Sequence, residues 1–284
     1  MAAVPEANGP PNVRALMRRF GIRSRRKLGQ NFMVDPRALR KVITAAQLTG
    51  GETVLEIGAG VGSLTWRLAH HCARVVAVEI DERLIPALEY ALSFESNVEI
   101  VAGDILEMDV DEVLGNGPYS VVANIPYYIT SALIRRLMES RRRPECLVLS
   151  VQKEVAERIV AGPGEMSLLA LSVQVYGEPE LRGRIPASAF YPQPKVDSAV
   201  LRIAGYPSPR VPQALIEPLF VLARAGFGQK RKQLHNALAK NLGKPNETVL
   251  EWLSAAGVRP EQRAQELSID NWLDLAQAMA SSED

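Results

Sequence analysis

Between residues 53 and 161 short apolar runs alternate with helical segments, and this alternation constrains the fold more than any other feature of the chain. The runs Thr53–Ile57, Arg74–Glu79, Val98–Ala102, Tyr119–Ala123 and Cys146–Val151 read as strands. Helices are predicted near Ser63–His70, Glu82–Ser93, Thr130–Ser140 and Lys153–Ala161. Strands that are apolar on both faces and are joined by helices form a parallel sheet covered on both sides. Asp35-Pro36 predicts a further helix, an N-cap followed by proline at the first helical position, running to about Gln47. Glu180–Ile185 and Ser198–Ile203 flank a proline-rich segment and read as an antiparallel hairpin at the sheet edge. Gly205–Pro212 is a proline-rich linker, and beyond it the pattern is only helical, over 213–225, 230–241, 248–256 and 269–280. The expected organisation is an α/β domain over 1–206, with a basic N-terminal arm at 1–26, and a small all-α domain over 207–284.

The remaining composition excludes several classes. No run approaches the length of about 18 apolar residues that a membrane span needs. The opening MAAVPEANGPPNVR has no apolar stretch before a cleavage site, so no secretory signal is expected. Cys72 and Cys146 lie far apart, and the only histidines are His70, His71 and His235. Neither a disulfide framework nor a metal site is expected, and the chain reads as a cytoplasmic protein of a reducing compartment.

A net charge of +1 hides a segregation. From Ala7 to Val34 there is no acid, but Arg14, Arg18, Arg19, Arg23, Arg25, Arg26 and Lys27 are present. Residues 79–112 carry eleven acids against Arg83 alone. The span 218–246 is again free of acids and holds Arg224, Lys230, Arg231, Lys232, Lys240 and Lys244, while Arg135, Arg136, Arg141, Arg142 and Arg143 form another cluster. Any one run reads as a solvated face. Several in a nearly neutral chain suggest a cationic side for a polyanion, with nucleic acid the usual one.

Val54-Leu-Glu-Ile-Gly-Ala-Gly-Val-Gly62 leaves a strand and enters a helix, where glycines let the backbone approach a ligand and helix-terminal amides face it. Gly58, Gly60 and Gly62 give G-x-G-x-G, not the G-x-G-x-x-G of a nicotinamide site. Glu79 ends the next strand, where a carboxylate accepts ribose hydroxyls. Asp104 ends the third, where it reads either as an acceptor for an adenine amino group or as a plain N-cap. The fourth strand ends in Asn124-Ile-Pro-Tyr-Tyr128. An adenine amino nitrogen is a poor nucleophile because its lone pair is delocalised. If the Asn124 side-chain oxygen and the Ile125 carbonyl accept its protons, the nitrogen moves toward a tetrahedral, lone-pair-bearing geometry. Tyr127 can stack on the base. Read without this context, the segment is a turn with buried tyrosines.

The chain resembles the ribosomal RNA adenine N(6),N(6)-dimethyltransferases from about Arg25 to Leu273. The matching segments are Lys27–Asp35, the Leu55–Thr65 turn, Glu79, Gly103-Asp104, Asn124–Tyr128, Phe190–Ser198 and Phe227–Asn236. The resemblance implies a Rossmann-like class I methyltransferase with a mostly parallel seven-stranded sheet, using S-adenosylmethionine. It implies that Asn31 and the Met33 backbone touch the methionine end of the donor, that Gly58 and Gly60 floor its pocket, and that Glu79 holds the ribose and Asp104 the adenine. Asn124 would lie between donor and target amine, with Tyr127 and Phe190 on the two faces of the flipped adenine. The family has leucine where Met33 stands, a change that a backbone contact survives. Phe190 on its own reads equally well as a hydrophobic plug. The implied substrate is 16S rRNA within the small ribosomal subunit, dimethylated at two adjacent adenosines of its 3′-terminal hairpin loop during ribosome biogenesis, by a monomer. Extruding a base is cheap where loop nucleotides are unpaired. The basic runs Arg18–Lys27, Arg135–Arg143 and Lys230–Lys232 with Lys240 would then bind phosphates. The competing readings are a 23S rRNA adenine methyltransferase of the antibiotic-resistance type, a non-catalytic nucleic-acid-binding factor on the same fold, and a small-molecule methyltransferase.

Overall fold

A computed structural model describes residues 10–229 and 231–282, so Lys230 and the first nine residues of the expected arm lie outside the described residues. In chain order the elements begin with α1 (Val13–Arg19), β1 (Phe32–Met33), α2 (Pro36–Ala46), β2 (Thr53–Ile57), α3 (Ser63–Ala69), β3 (Arg74–Glu79), α4 (Ile85–Ala91) and β4 (Val98–Ala102). They continue with α5 (Val110–Leu114), β5 (Ser120–Asn124), α6 (Thr130–Glu139), β6 (Cys146–Gln152), α7 (Lys153–Val160) and α8 (Leu168–Gln174). Then follow β7 (Gly177–Ile185), β8 (Phe190–Tyr191), β9 (Ser198–Gly205), α9 (Gln213–Phe227), α10 (Leu234–Leu242), α11 (Asn246–Ala255) and α12 (Ile269–Ser281).

The chain forms two compact units. The first runs to Ala156 and resumes over Glu180–Gly205, and the second comprises Glu157–Pro179 and the chain from Tyr206 onward. The large sheet has the order β4-β3-β2-β5-β6-β9-β7. β2, β3, β4, β5 and β6 pair in parallel, and β9 runs antiparallel to β6. The strand order reverses between β2 and β5, and the ends of β2 and β5 (Ile57, Asn124) open at that switch point, where open α/β sheets bind ligands. Val75, Val76 and Ala77 are wholly buried, as the two-sided apolar pattern requires. The Asp35 carboxylate caps α2 by accepting from the amides of Arg37 and Ala38 at 2.6 and 3.0 Å, and Gln47 closes the helix in the left-handed region at φ 54°.

Three features differ from the sequence expectation. Over Val13–Arg19 the basic arm is a helix: Val13, Leu16 and Met17 are buried with Leu84 and Ala87, and the arginines occupy its outer face. The segment between β7 and β9 holds a two-residue strand, β8, which pairs with β1 through Phe32↔Tyr191 and Met33↔Phe190. Residues 157–179, placed by sequence before the boundary at 206, group with the C-terminal helices and include α8, capped by Ser167 through the amide of Ala170.

In the second unit α10 begins at Leu234 rather than at residue 230, where burial begins with Leu234, Ala237 and Leu238. Gly226 faces the wholly buried Trp272, whose ring atom would lie 2.9 Å from an added Cβ, and Phe227 sits 5.5 Å from the Trp272 ring. The matched Phe227–Asn236 segment therefore meets the core of this unit through the wholly buried Leu234, with the half-buried Phe227 beside Trp272.

Candidate active site

At the switch point lies a cleft lined by Asn31, Gly58, Gly60, Glu79, Asp104 and Asn124, with Tyr127 and Phe190 also on its wall. Of the residues proposed from sequence, Met33 alone is not on that wall. It lines an adjoining smaller cavity that also meets Glu56, Gly58, Ser63 and Asn124.

The first three amides of the glycine turn are used within the fold. The amides of Gly58 and Ala59 donate to the Val78 carbonyl at 2.8 and 3.2 Å, and that of Gly60 donates to Glu79 Oε2 at 2.7 Å. A pyrophosphate needs such amides unpartnered. Those three amides are therefore not offered to a phosphate, and at Gly58–Gly60 the turn presents its shape. Gly60 has φ 63°, and a Cβ there would lie 2.9 Å from the Phe32 ring. Both conformation and space reserve the position for glycine.

Glu79 is 4% exposed, and its second oxygen accepts from the Asp81 amide at 2.8 Å. Burial pushes its carboxyl above the usual range, and the backbone amides of Asp81, Gly60 and Ile80 pull the other way. Glu79 lines the cleft. Asp104 accepts from the Leu106 amide at 2.9 Å, so its capping role is real, and its side chain lines the cleft as well. Phe190 likewise fits both of its readings, because it is 3% exposed within the core and still forms part of the cleft wall.

The Asn124 side-chain nitrogen donates to the Asn31 carbonyl at 2.9 Å. The Tyr127 hydroxyl lies 2.8 Å from the Oγ of Ser198, which is wholly buried. Two positioning residues escaped the sequence reading. Gln30 accepts from the Arg25 amide at 2.7 Å and donates to Asp81 at 2.8 Å, and Asp81 also holds Arg83 through two side-chain bonds. Asp81 is 2% exposed, and Arg83 and Gln30 hold it below the usual carboxylate range despite its burial. Gln30 and Ser198 both fall in segments singled out as matches, and that was the available signal.

Glu56 is 1% exposed, and burial, reinforced by the charge of Glu79, pushes its carboxyl up to about 8. Its Oε2 and the Ser63 Oγ have no hydrogen-bond partner, and both residues line the smaller cavity. A donor with a zwitterionic amino-acid end supplies polar partners for such atoms. The residues present thus fit S-adenosylmethionine, with a polar pocket at one end and Glu79 and Asp104 at the other.

The basic clusters are partly neutralised within the fold. Arg135 pairs with Glu139 at 2.9 Å, Arg136 reaches the Met108 carbonyl at 2.7 Å, and Arg142 lies 2.7 Å from Asp111 while binding the Gly115 carbonyl. Among the described residues no group of His, Cys, Asp and Glu is arranged to hold a metal, and no helix is long and apolar enough to cross a membrane.

The sheet order and a cleft at its switch point lined by Glu79, Asp104 and Asn124 define a Rossmann-like methyltransferase that uses S-adenosylmethionine. Over residues 21–281 the chain matches the model of the ribosomal RNA adenine dimethylases, and it belongs to that family. It is similar to the ribosomal RNA small subunit methyltransferase A of Dehalococcoides mccartyi (strain ATCC BAA-2266 / KCTC 15142 / 195), 44% identical over 271 residues that cover 94% of this chain and 93% of the relative. Among solved structures, a dimethyladenosine transferase from Plasmodium falciparum superposes with a TM-score of 0.76 at 26% identity, covering 89% of this chain and 98% of that one. The 23S rRNA methyltransferase ErmE superposes with a TM-score of 0.71 at 28% identity, covering 88% and 100%. The protein is an S-adenosylmethionine-dependent rRNA adenine dimethyltransferase.

Proposed function

We propose that the substrate is 16S rRNA within the small ribosomal subunit, dimethylated at the 6-amino groups of two adjacent adenosines in its 3′-terminal hairpin loop during ribosome biogenesis. Identity supports the small-subunit reading, at 44% over 93% of a small-subunit relative against 28% over the whole of the 23S enzyme. The protein would act as a monomer, and an rRNA substrate is consistent with action in the cytoplasm.

One observation carries the mechanism: the Asn124 amide nitrogen is occupied by the Asn31 carbonyl. The side-chain oxygen is thereby left to accept a proton of the target amine, together with the Ile125 carbonyl. Tyr127, held by Ser198, stacks on one face of the flipped base, and Phe190 packs on the other. Glu79 accepts the donor's ribose hydroxyls and Asp104 its adenine amino group, while Asn31 and the Met33 backbone meet its methionine end over a floor of Gly58 and Gly60. The donor, when bound, supplies a methyl already activated on a sulfonium, so the residues of this chain mainly position and polarise. After the first transfer one amino proton remains for Asn124 or Ile125 to hold.

The test is tritiated donor incubated in parallel with unmodified small subunits, naked 16S rRNA and large subunits. Label on the small-subunit adenosines is expected. Label on large-subunit rRNA favours the resistance-type reading, and label on neither leaves a binding factor.

A further inference from the structure

Adjacent residues of an extended strand point to opposite sides, and β8 is only Phe190-Tyr191. Phe190 is on the wall of the catalytic cleft, while Tyr191 lines a different one. The other walls of this second cleft come from α1 and the chain just after it: Arg14, Met17, Arg18, Ile22 and Arg23. Gly21, at φ 62°, and the bond from the Ile22 amide to the Met17 carbonyl fold the chain back so that Arg23 returns beside Arg14 and Arg18.

The chemistry of this cleft is specific in three ways. All three guanidiniums are on exposed residues, and none is in an ion pair among the described residues. No carboxylate lines the cleft among the described residues, in contrast to Arg135 and Arg142, which have acidic partners. The Arg14 guanidinium stands over the Tyr191 ring, 4.8 Å from its centroid, and Tyr191 is 37% exposed. Exposed cations around a part-exposed aromatic ring that already carries a guanidinium on one face suit a ribonucleotide: phosphate oxygens on the arginines, a base against the ring.

We infer that this cleft is a second RNA subsite, which takes the unpaired nucleotide next to the target and holds its phosphates with Arg14, Arg18 and Arg23 and its base against Tyr191. The inference rests on the reading of the chain as an rRNA-modifying enzyme and deepens it. β8 then acts as a divider: the target base enters on the Phe190 side, its neighbour lies on the Tyr191 side, and the backbone of the strand crosses between them. The cleft thereby favours targets whose neighbour is also unstacked, a specificity that the catalytic residues alone do not provide.

The experiment reads binding directly, with a fluorescent unpaired oligoribonucleotide titrated with the full chain and no donor. Replacing Arg14, Arg18 and Arg23 together by alanine is expected to weaken binding by about tenfold or more and to lower the slope of log Kd against log salt by about 2, at about 0.7 per lost phosphate contact. Tyr191→Phe keeps the wild-type affinity, and Tyr191→Ala loses about tenfold, the scale of one stacked base. An abasic site beside the target adenosine gives the same loss on the wild type and no further loss on Tyr191→Ala. Donor affinity stays unchanged in every variant and serves as the folding control; if Tyr191→Ala fails that control, the arginine variant and the abasic oligonucleotide decide. An unchanged Kd and salt slope in the triple variant overturns the inference. Cleft-dependent binding by a wild type that methylates no rRNA sinks the proposed function instead and leaves the subsite standing.

Discussion

The Asn124 amide nitrogen and the Asn31 main-chain carbonyl, 93 residues apart in sequence, are joined at 2.9 Å, so the matched N-terminal segment sets which end of the Asn124 amide is free. Alanine at 124 removes the acceptor for the target amine and leaves the donor's other contacts in place. Asn124→Ala is expected to lower turnover by about 100-fold or more, the scale of one preorganised polar contact to a reacting group, with donor affinity changed only a few-fold. Asn124→Asp should be as inactive, because a carboxylate cannot donate to the Asn31 carbonyl and so loses the bond that orients it. Single-turnover rates with saturating donor, beside donor binding by calorimetry, check both. Turnover within a few-fold of wild type would contradict the mechanism.

Gly60 is the position of the turn least able to accept a side chain. An alanine there is forced to φ 63° with its methyl against the Phe32 ring at 2.9 Å, while β1 holds Phe32. Gly60→Ala is expected to destabilise the first unit by about 1–3 kcal/mol through backbone strain and to weaken donor binding. Adding Phe32→Leu should restore part of the donor affinity, since it relieves the clash but not the dihedral. Gly50→Ala is the control, with φ 103° and open space around it. It carries the strain without the change in donor binding.

The Tyr127–Ser198 contact links two segments that the sequence shows only as separate matches. Ser198→Ala leaves the half-buried Tyr127 hydroxyl without its 2.8 Å partner and loosens the ring. Losing one such bond costs about 1 kcal/mol, so the KM for RNA should rise several-fold while donor affinity holds. Tyr127→Phe should give a similar rise, and the double variant no more than either alone. Additive effects in that cycle would mean that the two residues do not act through one another.

The parts of this molecule that could be read from sequence are those with a period or a spacing. Val75, Val76 and Ala77 announce a strand buried on both faces, and the G-x-G-x-G turn with Glu79 and Asp104 after later strands locates the cleft. What stayed hidden has no period. Phe32–Met33 and Phe190–Tyr191 are too short to alternate, yet their pairing brings Phe190 to the cleft. The apolar face of α1 is three residues set among arginines, so its charge masked its helix. Leu168–Gln174 is buried nearly all round and shows no polar face to mark it. The occupancy of the turn's amides is a tertiary fact: nothing in Gly58-Ala-Gly60 indicates that Val78 and Glu79 will take its donors.

Glu56 makes the stability of the first unit depend on pH. Its carboxyl is raised from 4.5 to about 8 by burial first and by the charge of Glu79 second. A carboxyl that binds its proton more tightly when folded works against stability as pH rises. Between pH 4.5 and about 8 the native chain keeps this proton and the unfolded chain has lost it. Unfolding therefore becomes easier across that window by roughly 1 kcal/mol per pH unit, and no further above it. Glu56→Gln keeps the shape and removes the proton equilibrium. Hydrogen exchange of the Thr53–Ile57 amides, corrected for the intrinsic rate, measures the opening free energy where Glu56 sits. The wild type should lose protection from pH 5 to 8, and the variant should lose much less, gaining on the wild type as pH rises. Parallel pH profiles for the two proteins would place the Glu56 carboxyl back in the ordinary range and remove it from the account of this unit's stability.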